Sequence, residues 1–254
     1  MKLYSLVQPD VVTAITARAH ELKMPVTGHV PTALGLENAV LAGMDQIAHL
    51  SVRGQPGTPD TDRVIALLAE RHVVIDPTQA WGELLNRPRD VQAEAIEPGV
   101  ARAPYPLAAN YRSVLNNPRP APAAPAAPAT PAGDPGPNRL SILKVLYDHG
   151  VPIVAGTDGA LPGYSLLREV ELYVQAGFTP LQAIQAATRI SARALSQEAE
   201  MGTITPGKRA DLVVLDANPL TDISAIRRTR FVVTNGKMYE PAALWRLAGF
   251  RAAK

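Results

Sequence analysis

Residues 26–50, VTGHVPTALGLENAVLAGMDQIAHL, contain one complete strand–helix–strand pattern. The apolar runs at residues 25–30 and 45–50 predict two strands, and the apolar periodicity of residues 34–42 predicts a helix between them. Gly43 follows this helix, as is typical of a helix C-terminus. Short apolar runs that alternate with helices usually build a parallel sheet, because each helix carries the chain back to the edge where the previous strand began.

The same alternation continues on both sides of this unit. Further strands are predicted at residues 2–7, 72–75 and 151–155. Further helices are predicted at residues 10–22, 60–70, 165–175 and 181–196. Five strand–helix units indicate an α/β fold, which we interpret as part of a (β/α)8 barrel of the TIM type. A doubly wound sheet contains the same unit and stays open as an alternative on periodicity alone.

A proline-rich region interrupts this alternation between residues 81 and 138. Eight of the 24 prolines lie between Pro118 and Pro137, interleaved with alanine. Because proline lacks an amide donor and disfavours helix in the residue before it, this insertion near residues 117–138 is predicted to be an extended, solvated loop. It is either a lid over an active site or, as is more common for long loops, a surface insertion.

The C-terminal region has the pattern of a small β-sheet. Apolar runs at residues 212–215 and 231–234 predict strands, and the Asn-Gly dipeptide at residues 235–236 predicts a hairpin turn. The predicted organisation is therefore a partial barrel over residues 1–200 and a small sheet with a C-terminal helical segment over residues 201–254.

Composition excludes several classes of function. The chain has 254 residues, 46% of them hydrophobic, and a net charge of +2, which argues against an electrostatic nucleic-acid binder. It has no cysteine, which excludes disulfides, a thiol nucleophile and cysteine-ligated metal sites. No apolar run approaches the roughly 20 residues of a membrane helix, and the N-terminus does not have the pattern of a signal peptide. The expected location is the cytoplasm by default.

Candidate site residues stand at the ends of three predicted strands. His29 and His49 end the two strands of the opening pattern, and Asp158 follows the strand at residues 151–155. Side chains at the carboxyl ends of parallel strands converge on one face of a barrel, and imidazole and carboxylate are ordinary zinc ligands. Taken singly, a strand-end histidine is more often a hydrogen-bonded core residue, and an aspartate before glycine is more often part of a turn.

Several motifs in the same order resemble those of the amidohydrolase superfamily, in its imidazolonepropionase-like and prolidase-like branch. The resemblance covers nearly the whole chain except the Pro/Ala-rich insertion. The motif with the strongest resemblance is GTITPGKRADLVVLD at residues 202–216. The other matching segments are residues 2–4, 26–31, 42–49, 156–158, 178–188 and 235–237.

The resemblance implies a role for each candidate residue. It places His29 at the end of barrel strand five and His49 at the end of strand six, both as metal ligands. It makes Asp158, at the end of strand eight, a metal ligand and the general base. It places Lys2 on strand four, where some relatives carry a carbamylated lysine that bridges two metals. An ordinary solvated lysine is the rival interpretation of Lys2.

One departure from the family pattern bears on all of these roles. Family members begin with a His-x-His pair on strand one, and no such pair occurs among the five histidines of this chain. The expectation is a chain that contains about barrel strands 4 to 8 and lacks the N-terminal strands. An open sheet edge invites pairing, either with a second copy of the chain or with a completing N-terminal segment. An export signal could lie in such a segment.

The function implied by the resemblance is hydrolysis of a C–N bond in a small amide-type substrate, such as a non-peptide amide, a cyclic amide or a dipeptide. One or two divalent ions would activate water and polarise the substrate carbonyl, and zinc is the ion expected. Asp158 would take the proton and return it to the leaving nitrogen. Full activity is expected to need the missing N-terminal residues. The alternative is a catalytically inactive fragment, or a subunit that a partner completes.

Overall fold

The structure, a computed structural model, describes residues 1–88, 90–116 and 139–251. The predicted Pro/Ala-rich loop therefore lies outside the described residues. Twelve α-helices and seven strands are described in these ranges. The strands are β1 Lys2–Leu3, β2 Thr27–Gly28, β3 Gln46–Ala48, β4 Val74–Asp76, β5 Leu212–Leu215, β6 Thr229–Thr234 and β7 Lys237–Tyr239.

The helices occupy the positions between and after these strands. They are α1 Pro9–Glu21, α2 Gly35–Leu41, α3 Pro59–Glu70, α4 Gln79–Asn86, α5 Ala93–Ile96, α6 Gly99–Arg102, α7 Tyr105–Asn116, α8 Arg139–Asp148, α9 Ser165–Gln175, α10 Pro180–Gln185, α11 Ser191–Ala194 and α12 Pro241–Leu247. A π-helical turn, Ala186–Ile190, joins α10 to α11. A 3₁₀ helix, Ile223–Arg227, precedes β6. No described helix combines the length and the apolar character needed to cross a membrane.

The first four strands run parallel, as the alternation predicts. β1 pairs with β2, and β3 pairs with β4, both in parallel register. The carbonyl oxygen of Val26 accepts hydrogen bonds from the backbone N–H groups of Asp45 and Gln46, and this links the two pairs. An isolated parallel bridge between Ile75 and Ile153 adds the fifth strand position. The chain is therefore α/β, with its strand positions side by side in sequence order.

The strands are shorter than the predicted apolar runs. The predicted strand at residues 2–7 ends at Leu3, and the one at residues 151–155 is reduced to the single bridge at Ile153. The core still lies where the apolar pattern puts it. Ile47, Ile75 and Ile153, in the middle of neighbouring strand positions, are each at most 1% exposed.

Local sequence explains the main helix boundaries. Pro9, Pro59 and Pro180 lie at the start of α1, α3 and α10, where the missing amide of proline has no intrahelical partner to lose. Thr179 and Gln182 form a capping box at the start of α10. The predicted helix at residues 165–175 is confirmed at both ends as α9.

Residues 81–116 contain helices that the sequence did not predict. This region interrupts the strand–helix alternation, as expected, but it is mainly helical and contains most of α4 together with α5, α6 and α7. A second, smaller apolar cluster explains this, because Val100, Tyr111 and Leu161 pack there with Tyr164 and Phe250. These buried contacts stabilise short helices that periodicity alone does not predict.

The C-terminal segment forms a three-stranded antiparallel sheet in the order β5–β6–β7. Asn235 and Gly236 join β6 to β7 with φ angles of +49° and +71°, the left-handed pair that an Asn-Gly hairpin turn requires. The predicted hairpin is confirmed. The division into domains at residue 200 stays a prediction.

Candidate functional site

The candidate site lies where four strand positions end side by side. His29 follows β2, His49 follows β3, and Asp76 is the last residue of β4. Asp158 lies five residues beyond the bridge at Ile153. The backbone N–H of His49 donates to the carbonyl oxygen of Asp76 at 2.7 Å, so strand pairing itself sets these residues beside one another.

The three strand-end residues predicted from the sequence converge. The Nε2 atoms of His29 and His49 are 3.0 Å apart, which is a hydrogen-bond distance. The Nε2 atom of His49 is 3.6 Å from Oδ2 of Asp158. The ring of Tyr4 packs on His29 with centroids 4.2 Å apart. The placement of these residues agrees with the prediction, whereas their roles as ligands and base stay predictions.

The surroundings of the two imidazoles favour their neutral form. Burial lowers the pKa of His29 and of His49, and the positive charge of Lys2 lowers both further. The negative charge of Asp158 opposes these effects on both rings. A neutral imidazole offers the lone pair that a metal ion needs. Lys2 itself is an exposed residue on β1, near enough for its charge to act on the site.

Asp76 belongs to the site and was missed from the sequence. Burial and, to a smaller extent, the charge of Asp158 raise its pKa to about 6, although the backbone N–H groups of Thr78 and Gly156 favour its ionised form. Its buried Oδ1 atom has no hydrogen-bond partner among the described residues. The predicted strand at residues 72–75 stops one residue short of it. A strand end placed one residue later would have found it by the rule that found His29 and His49.

Three site residues adopt left-handed backbone conformations. The φ angles of His49, Thr78 and Asp158 are +68°, +47° and +44°. This region is unfavourable for residues with a Cβ, above all for a β-branched threonine. Strain of this kind persists where surrounding contacts impose it, and it clusters at functional sites.

The donor set fits a divalent metal ion in its chemistry and in two of its distances. Ligand atoms at about 2.0–2.1 Å from a tetrahedral zinc lie about 3.3 Å from one another, and the measured separations of 3.0 Å and 3.6 Å bracket that value. The buried Nδ1 atom of His29 also lacks a partner in the described part of the chain. Within those same residues, no group of three or more His, Cys, Asp or Glu side chains is arranged so that it could hold a metal ion. The fit therefore rests on two pairs of atoms, Nε2 of His29 with Nε2 of His49 and Nε2 of His49 with Oδ2 of Asp158.

Comparison with known sequences supports the resemblance. The model of the amidohydrolase family matches residues 7–239. The chain is 33% identical over 108 residues to imidazolonepropionase from Geobacillus kaustophilus. The aligned region covers 37% of this chain and 26% of that protein. It is 35% identical over 96 residues to ochratoxinase from Aspergillus niger. That aligned region covers 36% of this chain and 20% of that protein.

Comparison with solved structures supports the fold over nearly the whole chain. A Xaa-Pro dipeptidase with bound methionine in its active site superposes with a TM-score of 0.65 at 23% identity, over 94% of this chain and 54% of that chain. A putative prolidase from Bifidobacterium longum gives 0.64 at 25% identity, over 97% of this chain and 59% of that chain. The chain thus spans little more than half the length of these relatives. Because the family model covers residues 7–239, the chain belongs to the amidohydrolase family.

Proposed function

We propose that this chain is the larger part of a metal-dependent hydrolase that cleaves a C–N bond in a small amide-type substrate. Non-peptide amides, cyclic amides and dipeptides are the substrate classes concerned. The imidazolonepropionase, ochratoxinase and Xaa-Pro dipeptidase among its relatives support this choice. The observation that carries the proposal is the convergence of His29, His49 and Asp158 at 3.0 Å and 3.6 Å.

His29, His49 and Asp158 would hold the metal ion, and zinc is the ion that imidazole and carboxylate donors favour. A bound divalent ion supplies Lewis-acid polarisation of water and of the substrate carbonyl. Lys2 would join a second ion only as its carbamate, because an ammonium group has no lone pair to donate. Its position, close enough to act on both histidines, supports that role.

Asp158 is the group that moves the proton. Its side chain is 40% exposed, so a substrate and a water molecule can reach it, whereas the side chain of His49 is 28% exposed. The carboxylate accepts a proton as water attacks the carbonyl carbon, and it returns the proton to the nitrogen as the C–N bond breaks. The products are a carboxylic acid and an amine, and no proton is left over.

The parallel strands correspond, in this proposal, to strands 4 to 8 of a TIM-type barrel. Among the described residues β1 pairs on one side only, with β2. This unpaired edge favours a second candidate, a subunit that acts only after another polypeptide pairs with β1, or a catalytically inactive fragment. The two candidates differ in whether the 254-residue chain has activity by itself.

The test is amide hydrolysis by the purified chain with zinc, cobalt or manganese. The substrates are a Xaa-Pro dipeptide, an N-acyl amino acid and a cyclic amide. We expect turnover of at least one class, and a loss of about 100-fold or more in kcat with Asp158→Asn, because general-base catalysis contributes about that much. Asp60→Asn, which changes an exposed aspartate of α3, is the matched control. Full activity of Asp158→Asn contradicts its role, and no turnover by the wild-type chain favours the second candidate.

A further inference from the structure

Thr78 is held in an unfavourable conformation beside the candidate site. It is 5% exposed and lies between β4 and α4 with a φ angle of +47°. Few threonines adopt this region, because the branched Cβ crowds the backbone. The surrounding structure must therefore impose the conformation.

A buried carboxylate provides that constraint from the other side. Glu169 of α9 is completely buried, and its two oxygens accept hydrogen bonds from the backbone N–H groups of Gln79 at 2.9 Å and Ala80 at 2.6 Å. These are the two residues that follow Thr78. The carboxylate thus fixes the start of α4 and, with it, the turn in which Thr78 lies.

The side chain of Thr78 points at a candidate ligand. Its Oγ1 atom is 2.6 Å from Nδ1 of His49. The opposite ring nitrogen of His49 faces Nε2 of His29 at 3.0 Å and Oδ2 of Asp158 at 3.6 Å. One contact with Thr78 therefore sets the direction in which the other nitrogen of His49 presents its lone pair or its proton.

The protons of the two neutral rings can be arranged in two ways. If Thr78 donates to His49, then His49 Nε2–H donates to His29, and His29 must carry its own proton on Nδ1. That nitrogen is buried with no partner among the described residues, so its N–H would be unsatisfied. If His49 Nδ1–H donates to Thr78, then His29 Nε2–H donates to His49, so both ring N–H groups have an acceptor. The Nδ1 lone pair of His29 and the hydroxyl hydrogen of Thr78 then have no partner among the described residues. We adopt the second arrangement because it satisfies both imidazole N–H groups and matches the usual geometry of metal-ligating histidines.

We propose that Thr78, anchored by Glu169, is a positioning residue that accepts the Nδ1 proton of His49 and directs the Nε2 lone pair of that ring into the candidate site. A histidine that ligates a metal almost always donates its other N–H to an oxygen atom in this way. The use of this lone pair for a metal rests on the proposed function. The tautomer of His49 does not, because it is a property of the metal-free protein.

The experiment measures ring tautomers by ¹⁵N NMR of histidine-labelled, metal-free protein at pH 8. Wild-type protein should show His49 with its proton on Nδ1 and His29 with its proton on Nε2. Thr78→Val keeps the shape and the branching but removes the acceptor, so both rings should change to the opposite tautomer. Thr78→Ser keeps the hydroxyl and should retain the wild-type pattern. Thr16→Val removes the hydroxyl of another buried threonine, which bonds to the carbonyl of Ala42, and serves as the control.

The same four proteins are compared for zinc affinity by competition with a chelator. Thr78→Val should bind zinc about 10- to 100-fold more weakly than wild type, and Thr78→Ser and Thr16→Val should bind it nearly as well as wild type.

A wild-type His49 with its proton on Nε2, or an unchanged tautomer in Thr78→Val, would overturn the proposal. If Thr78→Val does not fold, Glu169→Gln replaces it, since one of the two amides then loses its acceptor and the turn loosens. Absence of zinc binding in wild type counts against the proposed function, and the tautomers still decide the role of Thr78.

Discussion

At the scale of the residue, Gly156 lies so close to the carboxyl group of Asp76 that no side chain fits at its position. A Cβ atom added to Gly156 would lie 2.1 Å from Oδ2 of Asp76, nearer than two nonbonded atoms can approach. The motif Gly156-Thr157-Asp158 therefore begins with glycine for lack of space, so that the segment carrying Asp158 can pass directly over the carboxyl end of β4.

Gly156→Ala should lower the free energy of unfolding by about 1–3 kcal/mol, the usual range for overpacking, because either Asp76 or the segment must move. Urea denaturation measures the change. Gly82→Ala is the control, since Gly82 lies within α4 and a Cβ there meets nothing within 4 Å. Alanine at position 82 should be neutral or stabilising by up to about 1 kcal/mol. Equal effects at the two positions would refute the steric explanation.

Glu169 gives the fold a dependence on pH. Burial and, to a smaller extent, the charge of Asp76 raise its pKa from 4.5 to about 7, and the N–H groups of Gln79 and Ala80 oppose the shift. The folded state therefore binds the proton more tightly than the unfolded state. Its contribution to stability is complete below about pH 4.5 and is lost as the pH rises toward 7.

We expect this group to account for a loss of about 3 kcal/mol in unfolding free energy between pH 4.5 and pH 7, at 1.36 kcal/mol for each pKa unit. Urea unfolding at a series of pH values should show a flatter profile for Glu169→Gln than for wild type. Glu70→Gln, at an exposed glutamate that ends α3, should retain the wild-type slope. A wild-type slope in Glu169→Gln would show that other groups cause the dependence.

At the scale of the element, two helices brace the segment that carries Asp158. On α9, Tyr173 lies one turn after Glu169, and its hydroxyl donates to the carbonyl oxygen of Val154 at 2.6 Å. On α7, the hydroxyl of Tyr111 donates to the carbonyl oxygen of Gly159 at 2.6 Å. Asp158 is thus held from both sides of its own segment, and the helical region between β4 and α8 takes part in building the site.

Tyr111→Phe should cost about 1 kcal/mol of stability, because it leaves the carbonyl of Gly159 without its donor. Burial raises the pKa of Tyr111 to about 12, so the hydroxyl remains a donor throughout the neutral range. The variant should also lower kcat more than it raises KM, since Asp158 loses its support. Tyr147→Phe, at a partly buried tyrosine that packs on Phe178, is the control. An unaltered kcat in Tyr111→Phe would limit its role to packing.

At the scale of the whole molecule, metal binding should be linked to folding. A ligand that binds only the folded state stabilises it by about 2.7 kcal/mol at a concentration of 100 times its Kd. Zinc at that ratio should raise the midpoint of urea unfolding of the wild-type chain, and a chelator should reverse the effect. His49→Gln should abolish the stabilisation, whereas His149→Gln, at an exposed histidine beyond α8, should preserve it. Equal stabilisation of both variants would place the binding elsewhere.

The α/β class, the order of the main helices and the C-terminal hairpin could be predicted from the sequence. These three features depend on local properties, namely apolar periodicity, a glycine after a helix and the Asn-Gly turn, which a single sequence displays directly. The family was indicated in another way, by the resemblance of motifs such as residues 202–216. The sequence also indicated His29, His49 and Asp158, because the ends of parallel strands must meet at one edge.

The side chains that support this site could be recognised only in the folded protein. Glu169 is 90 residues from Gln79 in the chain, and Tyr111 is 48 residues from Gly159, so no local pattern connects them. The helices α5 to α7 likewise depend on packing against Leu161 and Phe250, far along the sequence. Buried hydrogen bonds and apolar contacts between distant segments form only once the chain is folded, and they are the physical reason that these roles could not be predicted from residue order.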